Sequence, residues 1–204
     1  QFTLAAATAR TGTRMFDGCS AHLIVELDGR AASVRAEMRV LERLIKKAKP
    51  IFMHRANGEA ACERMWAIRR EFSYSLRDTG LKKINQDVVV PRGQVEALFV
   101  LAARLQKKHS IVVACFGHAG DGNIHVNLML NESQPDFMKR CNAAQDDLFK
   151  GVLNLGGTIT GEHGIGIAKK PWWSLAASVE TRSVHRAVKK GLDPKGILNP
   201  GKFV

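Results

Sequence analysis

The chain of 204 residues is long enough for one large domain or two small ones with a buried core. Its 45% hydrophobic and 25% charged residues are the proportions of an ordinary globular protein, and no apolar run approaches the roughly 20 residues that span a bilayer. A formal net charge of +12 permits contact with nucleic acid or an anionic surface. However, Lys and Arg are scattered over helical segments without an aromatic-interleaved basic motif, which argues for a solvated basic surface over a nucleic-acid interface. A modest attraction for anionic substrates or an acidic partner is compatible with it.

The opening, QFTLAAATARTGTRMF, has no initiator Met and no basic stretch before its small-residue run, so it does not read as a targeting signal. It reads as the start of a chain cut from something longer, with residues 1–19 as linker or frayed terminus. AHLIVELDG at 21–29 is a short β-branched run ending in an Asp-Gly turn signal, which predicts a strand. Val34, Met38, Leu41 and Ile45 recur at helical spacing within 31–49, ahead of Pro50. Residues 50–54 suggest a second short strand. Asn57-Gly58 then opens a helix through Met65, Trp66, Ile68, Phe72 and Leu76 that stops near Gly80.

INQDVVVP at 84–91 predicts a strand ended by proline, and Pro91 suits the first turn of the helix carrying Val95, Leu98, Phe99, Leu101 and Leu105. SIVVACFG at 110–117 is apolar on both faces and predicts a central strand. From Asn123 to Asn131, Ile124, Val126, Leu128 and Leu130 alternate with His125, Asn127 and Met129. The short loop between these two strands predicts an antiparallel hairpin. A helix follows over 134–154, then the glycine-rich 156–166, then an amphipathic stretch ending near Gly191. Strands separated by helices, plus one hairpin, predict an α+β fold: an antiparallel or mixed sheet with helices packed on it. Neither glycine-rich segment reads G-x-G-x-x-G after a strand, so a Rossmann fold is not indicated. Cys19, Cys62, Cys115 and Cys141 lie far apart without a CxxC pair. That argues against a thiolate metal site or a disulfide scaffold and fits a reducing, cytoplasmic setting.

Two stretches concentrate residues that bind metals and move protons: FGHAGDGNIHVN at 116–127 and GGTITGEHGIG at 156–166. His118 ends one hairpin strand and His125 begins its partner, so both imidazoles can reach one point, with Gly120 and Gly122 folding the connection back. Two imidazoles and a carboxylate are a frequent ligand set for Zn²⁺ or Mn²⁺ with open positions for substrate, and Glu162 is the natural third ligand. Two histidines near a turn also fit a plain packing or surface role. Asp121, in its Gly-Asp-Gly turn, reads as a backbone brace. Histidine's ordinary pKa lies near neutrality, which suits His163 to general-base work; a loop histidine bonded to a carbonyl is the alternative. Arg69 and Arg70 place two guanidiniums on a helix, and one of them could clamp a carboxylate bidentately. Simple solvation is the commoner state of such arginines.

The ordered set FGHAGDGNIHVN, GGTITGEHGIGIAKK and LDPKGILNPGKFV, with MWAIRR and INQDVVVP upstream, resembles the C-terminal domain of FAD-linked oxidases. These belong to the vanillyl-alcohol-oxidase-like flavoproteins. The likeness is to the branch of glycolate oxidase flavin subunits and D-lactate dehydrogenases, with D-2-hydroxyglutarate dehydrogenases related. It covers about residue 20 to Val204 and implies a ferredoxin-like cap, or substrate, domain there. The family's FAD sits mainly in a preceding domain, whose glycine-rich segment is absent from this chain. By the family's pattern, His118, His125 and Glu162 match metal ligands and His163 the catalytic base. Asn127 matches a substrate-contacting residue and Arg69 the carboxylate-binding arginine. Asn199 matches a residue near the flavin, with Gly161 and Glu162 also placed on the cofactor side. The hydroxyglutarate branch has a lysine shortly before the aspartate of DVVVP. Here Asn85 and Gln86 stand there, with Lys82 and Lys83 a little earlier, which favours a small monocarboxylate.

The resemblance therefore implies oxidation of glycolate or D-lactate to the 2-oxo acid, with the hydride passing to FAD. It implies an electron acceptor such as an iron–sulfur subunit, a quinone or a cytochrome, and through such a partner a peripheral place at a membrane. The chain alone is expected to fold, to bind FAD weakly or not at all, and to be inactive. A non-catalytic docking domain and a stand-alone metal-dependent hydrolase are the two competing readings.

Overall fold

In the computed structural model, which describes residues 1–202, the chain divides into two units, Gln1–Thr79 and one beginning at Gly80. The last two residues of the expected 20–204 domain, and of the LDPKGILNPGKFV motif, lie outside the described residues. The first unit holds helices α1 (Phe2–Thr11), α2 (Ala31–Lys47) and α3 (Glu59–Arg77). Residues 1–19, expected as linker or frayed terminus, thus carry a helix. Its alanines favour that state, Gly12 closes it in the left-handed conformation at φ 68°, and burial of Leu4, Ala7 and Phe16 stabilises it. Phe16 meets Phe72 of α3 with ring centroids 5.9 Å apart, and Arg10 pairs with Glu71 at 2.6 Å and with Asp78. A short helix gains most of its stability from such packing and not from propensity, which is why its sequence alone understates it.

The strands expected at 21–29 and 50–54 are absent. The first unit contains no strand among its described residues. A β-branched run without a ladder to satisfy its N–H and C=O groups stays irregular. The helices expected at 31–49 and from Asn57-Gly58 onward are present as α2 and α3.

The second unit runs β1 (Lys82–Val89), α4 (Val95–His109), β2 (Val112–His118), β3 (Asn123–Leu130), α5 (Phe137–Asn154), α6 (Trp173–Ala176) and α7 (Val179–Leu192). Pro91 leads into α4 through a 3-10 turn over Arg92–Gln94. The sheet order is β1-β3-β2, with β3 antiparallel to both neighbours. This is the expected α+β fold. Strands β1 and β2, linked through α4, are parallel and β3 fills the gap between them, as in a split β–α–β unit. Beyond α5, Thr158 bridges the outer edge of β1 at Val89, with N–H···O distances of 2.8 and 3.1 Å. That bridge stands where a ferredoxin-like sheet has its fourth strand.

The hairpin is as expected, but β2 lies at the edge, not at the centre. The crossover through α4 separates β1 from β2, so the central place falls to β3, all eight of whose residues are buried. On one face Ile124, Val126 and Leu128 pack with Leu98 and Leu105 of α4 and with Leu148 and Phe149 of α5. Gln86 also reaches Gln145 of α5 at 2.9 Å. The opposite face carries Asn85, Asp87, Asn123, His125 and Asn127 beside Phe116 and Met129. No helix among the described residues is long and apolar enough to cross a membrane. No disulfide joins Cys19, Cys62, Cys115 or Cys141.

Gly122 closes the hairpin at φ 73° while its carbonyl accepts the Val90 N–H at 3.0 Å. A Cβ there would lie 1.9 Å from the Val90 oxygen. Gly122→Ala is therefore expected to destabilise the protein by about 2–4 kcal/mol, from left-handed strain plus overpacking. Urea unfolding checks it, and a loss below about 1 kcal/mol would show that the turn relaxes.

Candidate active site

Side chains alternate across a strand, so Asn123, His125 and Asn127 of β3 share the face away from α4 and α5. The register sets Asp87 of β1 and Phe116 of β2 on either side of His125. His118, two residues beyond Phe116, is a diagonal neighbour of His125, with ring centroids 6.2 Å apart.

The second half of the site comes from the irregular segment after α5, and Asp87 holds it in place. Its Oδ2 accepts the backbone N–H groups of Gly161, Glu162 and His163 at 2.9, 2.8 and 2.9 Å, and the Thr160 hydroxyl at 3.3 Å. Three successive N–H groups aimed at one anion form a nest. Lys169, itself buried, donates from Nζ to the carbonyls of Asp87 at 3.0 Å and Ile159 at 2.8 Å. Burial by itself raises the Asp87 pKa. The backbone bonds from His163, Glu162 and Gly161, with the Lys169 charge, override that and hold the carboxyl at about 2. Burial pushes the Lys169 pKa down, and Asp87 opposes the shift.

So anchored, the segment brings Glu162 and His163 to the hairpin histidines. Ligand atoms of His118, His125 and Glu162 lie within 4.8 Å of one another. His125 Nε2 is 3.3 Å from Glu162 Oε1, and His163 Nε2 is 3.7 Å from the same oxygen. The His125 and His163 rings stack at 5.4 Å and 22°. The His125 side chain is 9% exposed, against 53% for Glu162 and 48% for His163. His125 is thus a fixed wall, and solvent reaches the other two. Asn127 is fully buried and donates to the carbonyls of Ala114 at 2.9 Å and His125 at 3.2 Å. Its Oδ1 has no hydrogen-bond partner among the described residues, nor do Asn123 Oδ1 and Asp87 Oδ1. Buried acceptors left in this state suit a donor from a bound water or ligand.

Of the remaining sequence-predicted residues, Gly161 lets the loop close on Asn123, since a Cβ would lie 2.8 Å from that amide. Arg69 lies on α3 in the first unit, its guanidinium 5.9 Å over the Phe72 ring. Asn199 follows α7 in a left-handed turn at φ 49°, its carbonyl accepting the Lys202 N–H. Asp87 and Lys169 are the site residues that the sequence reading missed. A carboxylate directly before three valines in a predicted strand was the available signal for Asp87.

Two imidazoles and a carboxylate grouped this closely fit a divalent cation by donor chemistry. A dinucleotide does not fit this chain's own glycine-rich segments in the same way. The Ala119–Gly122 loop joins two antiparallel strands, and the N–H groups of 161–163 are taken by Asp87. Neither offers a helix N-terminus following a strand to a pyrophosphate.

The family described as FAD linked oxidases, C-terminal domain, matches residues 1–203. The chain is 33% identical over 181 residues to the glycolate oxidase subunit GlcD of Bacillus subtilis, covering 89% of this chain and 38% of that protein. It is 30% identical to GlcD of Escherichia coli strain K12, covering 89% of this chain and 36% of the relative. It is 27% identical to a mitochondrial D-lactate dehydrogenase [cytochrome] of Arabidopsis thaliana, covering 89% and 32%. The chain thus spans about a third of the length of these relatives, 32–38%.

Because the folded-state pKa of Asp87 lies below the ordinary carboxyl value of 3.8, its contribution to stability is complete above about pH 4. It is lost as pH falls toward about 2, and the difference corresponds to about 2–3 kcal/mol. Asp87→Asn is expected to lower stability at pH 7 and to flatten its decline between about pH 4 and 2. Chemical unfolding at stepped pH measures this, and an unchanged acid slope would contradict the anchoring of Asp87.

Proposed function

The chain belongs to the family of FAD linked oxidases, C-terminal domain, and we propose that it forms the substrate-side domain of a flavin-dependent oxidoreductase. The substrate is a small 2-hydroxy acid, glycolate or D-lactate, oxidised to the 2-oxo acid. The observation that carries this reading is the convergence of His118, His125, Glu162 and His163 on one face of the sheet. The names of the relatives support the substrate class. Residues 20–204 make up this domain, and the part of the relatives' length that the chain does not span would hold the flavin. Bound there, FAD would supply the hydride acceptor.

His163 is the general base. A ring nitrogen takes the proton of the substrate hydroxyl as the α-hydrogen leaves with its electron pair. Glu162, with its carboxylate oxygen 3.7 Å from His163 Nε2, stabilises the imidazolium that forms. His118, His125 and Glu162 would hold a divalent cation such as Zn²⁺ or Mn²⁺, which would supply Lewis acidity toward substrate oxygens. Asn127 offers its amide oxygen, which has no partner among the described residues, to a donor on the substrate. Arg69 binds the substrate carboxylate through two parallel hydrogen bonds. Neutral Asn85 stands on the site face of β1 while Gln86 turns to Gln145 of α5, which suits a monocarboxylate. Asn199 and Gly161 would be this chain's residues on the side of the flavin. Electrons leave through a partner such as an iron–sulfur subunit or a cytochrome, and one relative's name specifies a cytochrome.

Two substitutions in the flavin-loaded holoprotein test the reading by steady-state kinetics. His163→Gln is expected to lower kcat about 100- to 10,000-fold with KM little changed. Arg69→Lys keeps the charge but loses the bidentate contact, and is expected to cost about 2–5 kcal/mol in kcat/KM, roughly 30- to several-thousand-fold. Arg70→Lys, whose parent pairs with Glu63 at the surface, is the near-silent control. Retained turnover in His163→Gln would remove the proposed base. Equal effects at Arg69 and Arg70 would place the carboxylate clamp elsewhere.

A further inference from the structure

We propose that Asp87 and Lys169 are positioning residues that set Glu162 and His163 against the hairpin histidines before any ligand arrives. The inference rests on the reaction just proposed and extends it to two residues outside the set of ligands, base and carboxylate clamp. Glu162 and His163 sit in an irregular segment, with side chains about half exposed. No helix or strand holds them. Their backbone is held by one oxygen: Asp87 Oδ2 takes the N–H groups of Gly161, Glu162 and His163 within 2.9 Å. Asp87 in turn is fixed in the ladder directly across from His125. A single side chain thus sets where the strand ligand and the loop residues stand relative to each other.

Lys169 completes the clamp from the far end of the segment. Lysine is rarely buried to this degree unless paired, yet Lys169 is 5% exposed. Its Nζ ties the carbonyl of Asp87 to that of Ile159, just before the nest residues. The ammonium also lies close enough to Asp87 to favour its ionised form. The loop is therefore fixed at both ends, to the carboxylate and to the backbone of one strand residue. The His118, His125 and Glu162 donors then need little ordering to meet a cation, and His163 is aimed without contact from Asp87 to its ring. Groups that orient ligands in this way typically change metal affinity or activity about 10- to 100-fold when replaced.

The test measures Co²⁺ affinity by its visible absorption, kcat and KM for D-lactate and glycolate, and cooperative unfolding, in the flavin-loaded holoprotein. Asp87→Asn is expected to weaken Co²⁺ binding and to lower kcat, each about 10- to 100-fold, with KM within about threefold. Lys169→Met is expected to lower both about tenfold. A merely structural role would lower the melting temperature and leave Co²⁺ affinity and kcat of the folded fraction unchanged, and that result overturns the proposal. Should Asp87→Asn fail to unfold cooperatively, Lys169→Met decides by the same criteria. If neither variant folds, the pair is a folding determinant and the proposal falls. If the unaltered protein takes up no Co²⁺, the metal reading fails separately and kcat decides. If it shows no turnover, the reaction fails separately and Co²⁺ affinity decides. With neither property, both readings fall.

Discussion

One buried carboxylate organises this site. An ionised aspartate with no exposed surface costs several kcal/mol unless its lone pairs are filled, and Asp87 meets that cost with three backbone N–H groups and a nearby ammonium. The exchange runs in both directions. The carboxylate remains charged because the loop surrounds it, and the loop takes one conformation because the charge is there. A glycine-rich segment loses more chain entropy on ordering than most. Without a strong local interaction, residues 160–163 would have little reason to adopt a single arrangement.

The sheet divides its labour by face. Toward α4 and α5 it is apolar and tightly packed, and the stability of the second unit comes mainly from there. Toward the site it carries Asn85, Asp87, Asn123, His125 and Asn127, several with oxygens that have no partner among the described residues. Each such atom is destabilising by about 1–3 kcal/mol. A fold retains such groups where they do something other than stabilise, and the apolar face gives the unit the margin to carry them. Because β3 is central, its backbone is hydrogen-bonded on both sides, and its histidine and asparagines are held more rigidly than edge or loop residues would be.

How much of this could be read from the chain depends on the range of the interaction. Periodicity placed α2, α3, α4 and α5, and a short polar loop between apolar runs placed the hairpin, because those signals are local. The grouping of His118 with His125 followed from hairpin geometry. Glu162 came in on donor chemistry, as the carboxylate of the second glycine-rich stretch, and on the likeness to the oxidase family, since no periodicity ties residue 162 to residue 125. Local signals also misled. The β-branched run at 21–29 has strand propensity but no ladder among the described residues of its unit. SIVVACFG has the hydropathy of a central strand, yet β2 is an edge. The helix at Phe2–Thr11 was hidden because its small residues show no broad apolar stripe, and its order comes from packing on α3. Asp87 and Lys169 escaped notice for a related reason. A charge inside a strand and a lysine in a basic loop look like solvated residues until the partner that buries them, 74 to 82 residues away, is in place.

Glu162 and His163 are consecutive, and their amide N–H groups end on the same oxygen atom. Whatever moves one therefore moves the other. On the proposed reading, the ligand that completes the cation site and the base that accepts the proton cannot be displaced independently. The hairpin histidines, by contrast, are set by the ladder and keep their places when the loop shifts. Two kinds of coupling follow. On that reading, changes at His118 act on the cation alone to first order, and changes at His125 act on the cation and on the His163 ring stacked against it. Changes at Asp87, Lys169 or either loop residue act on cation and proton transfer together, so their combined effects fall well short of additive. On the proposed reading, a site built from one rigid hairpin and one loop with a single buried anchor links cation occupancy to base position through the backbone. No direct contact between the cation and His163 is required for that coupling.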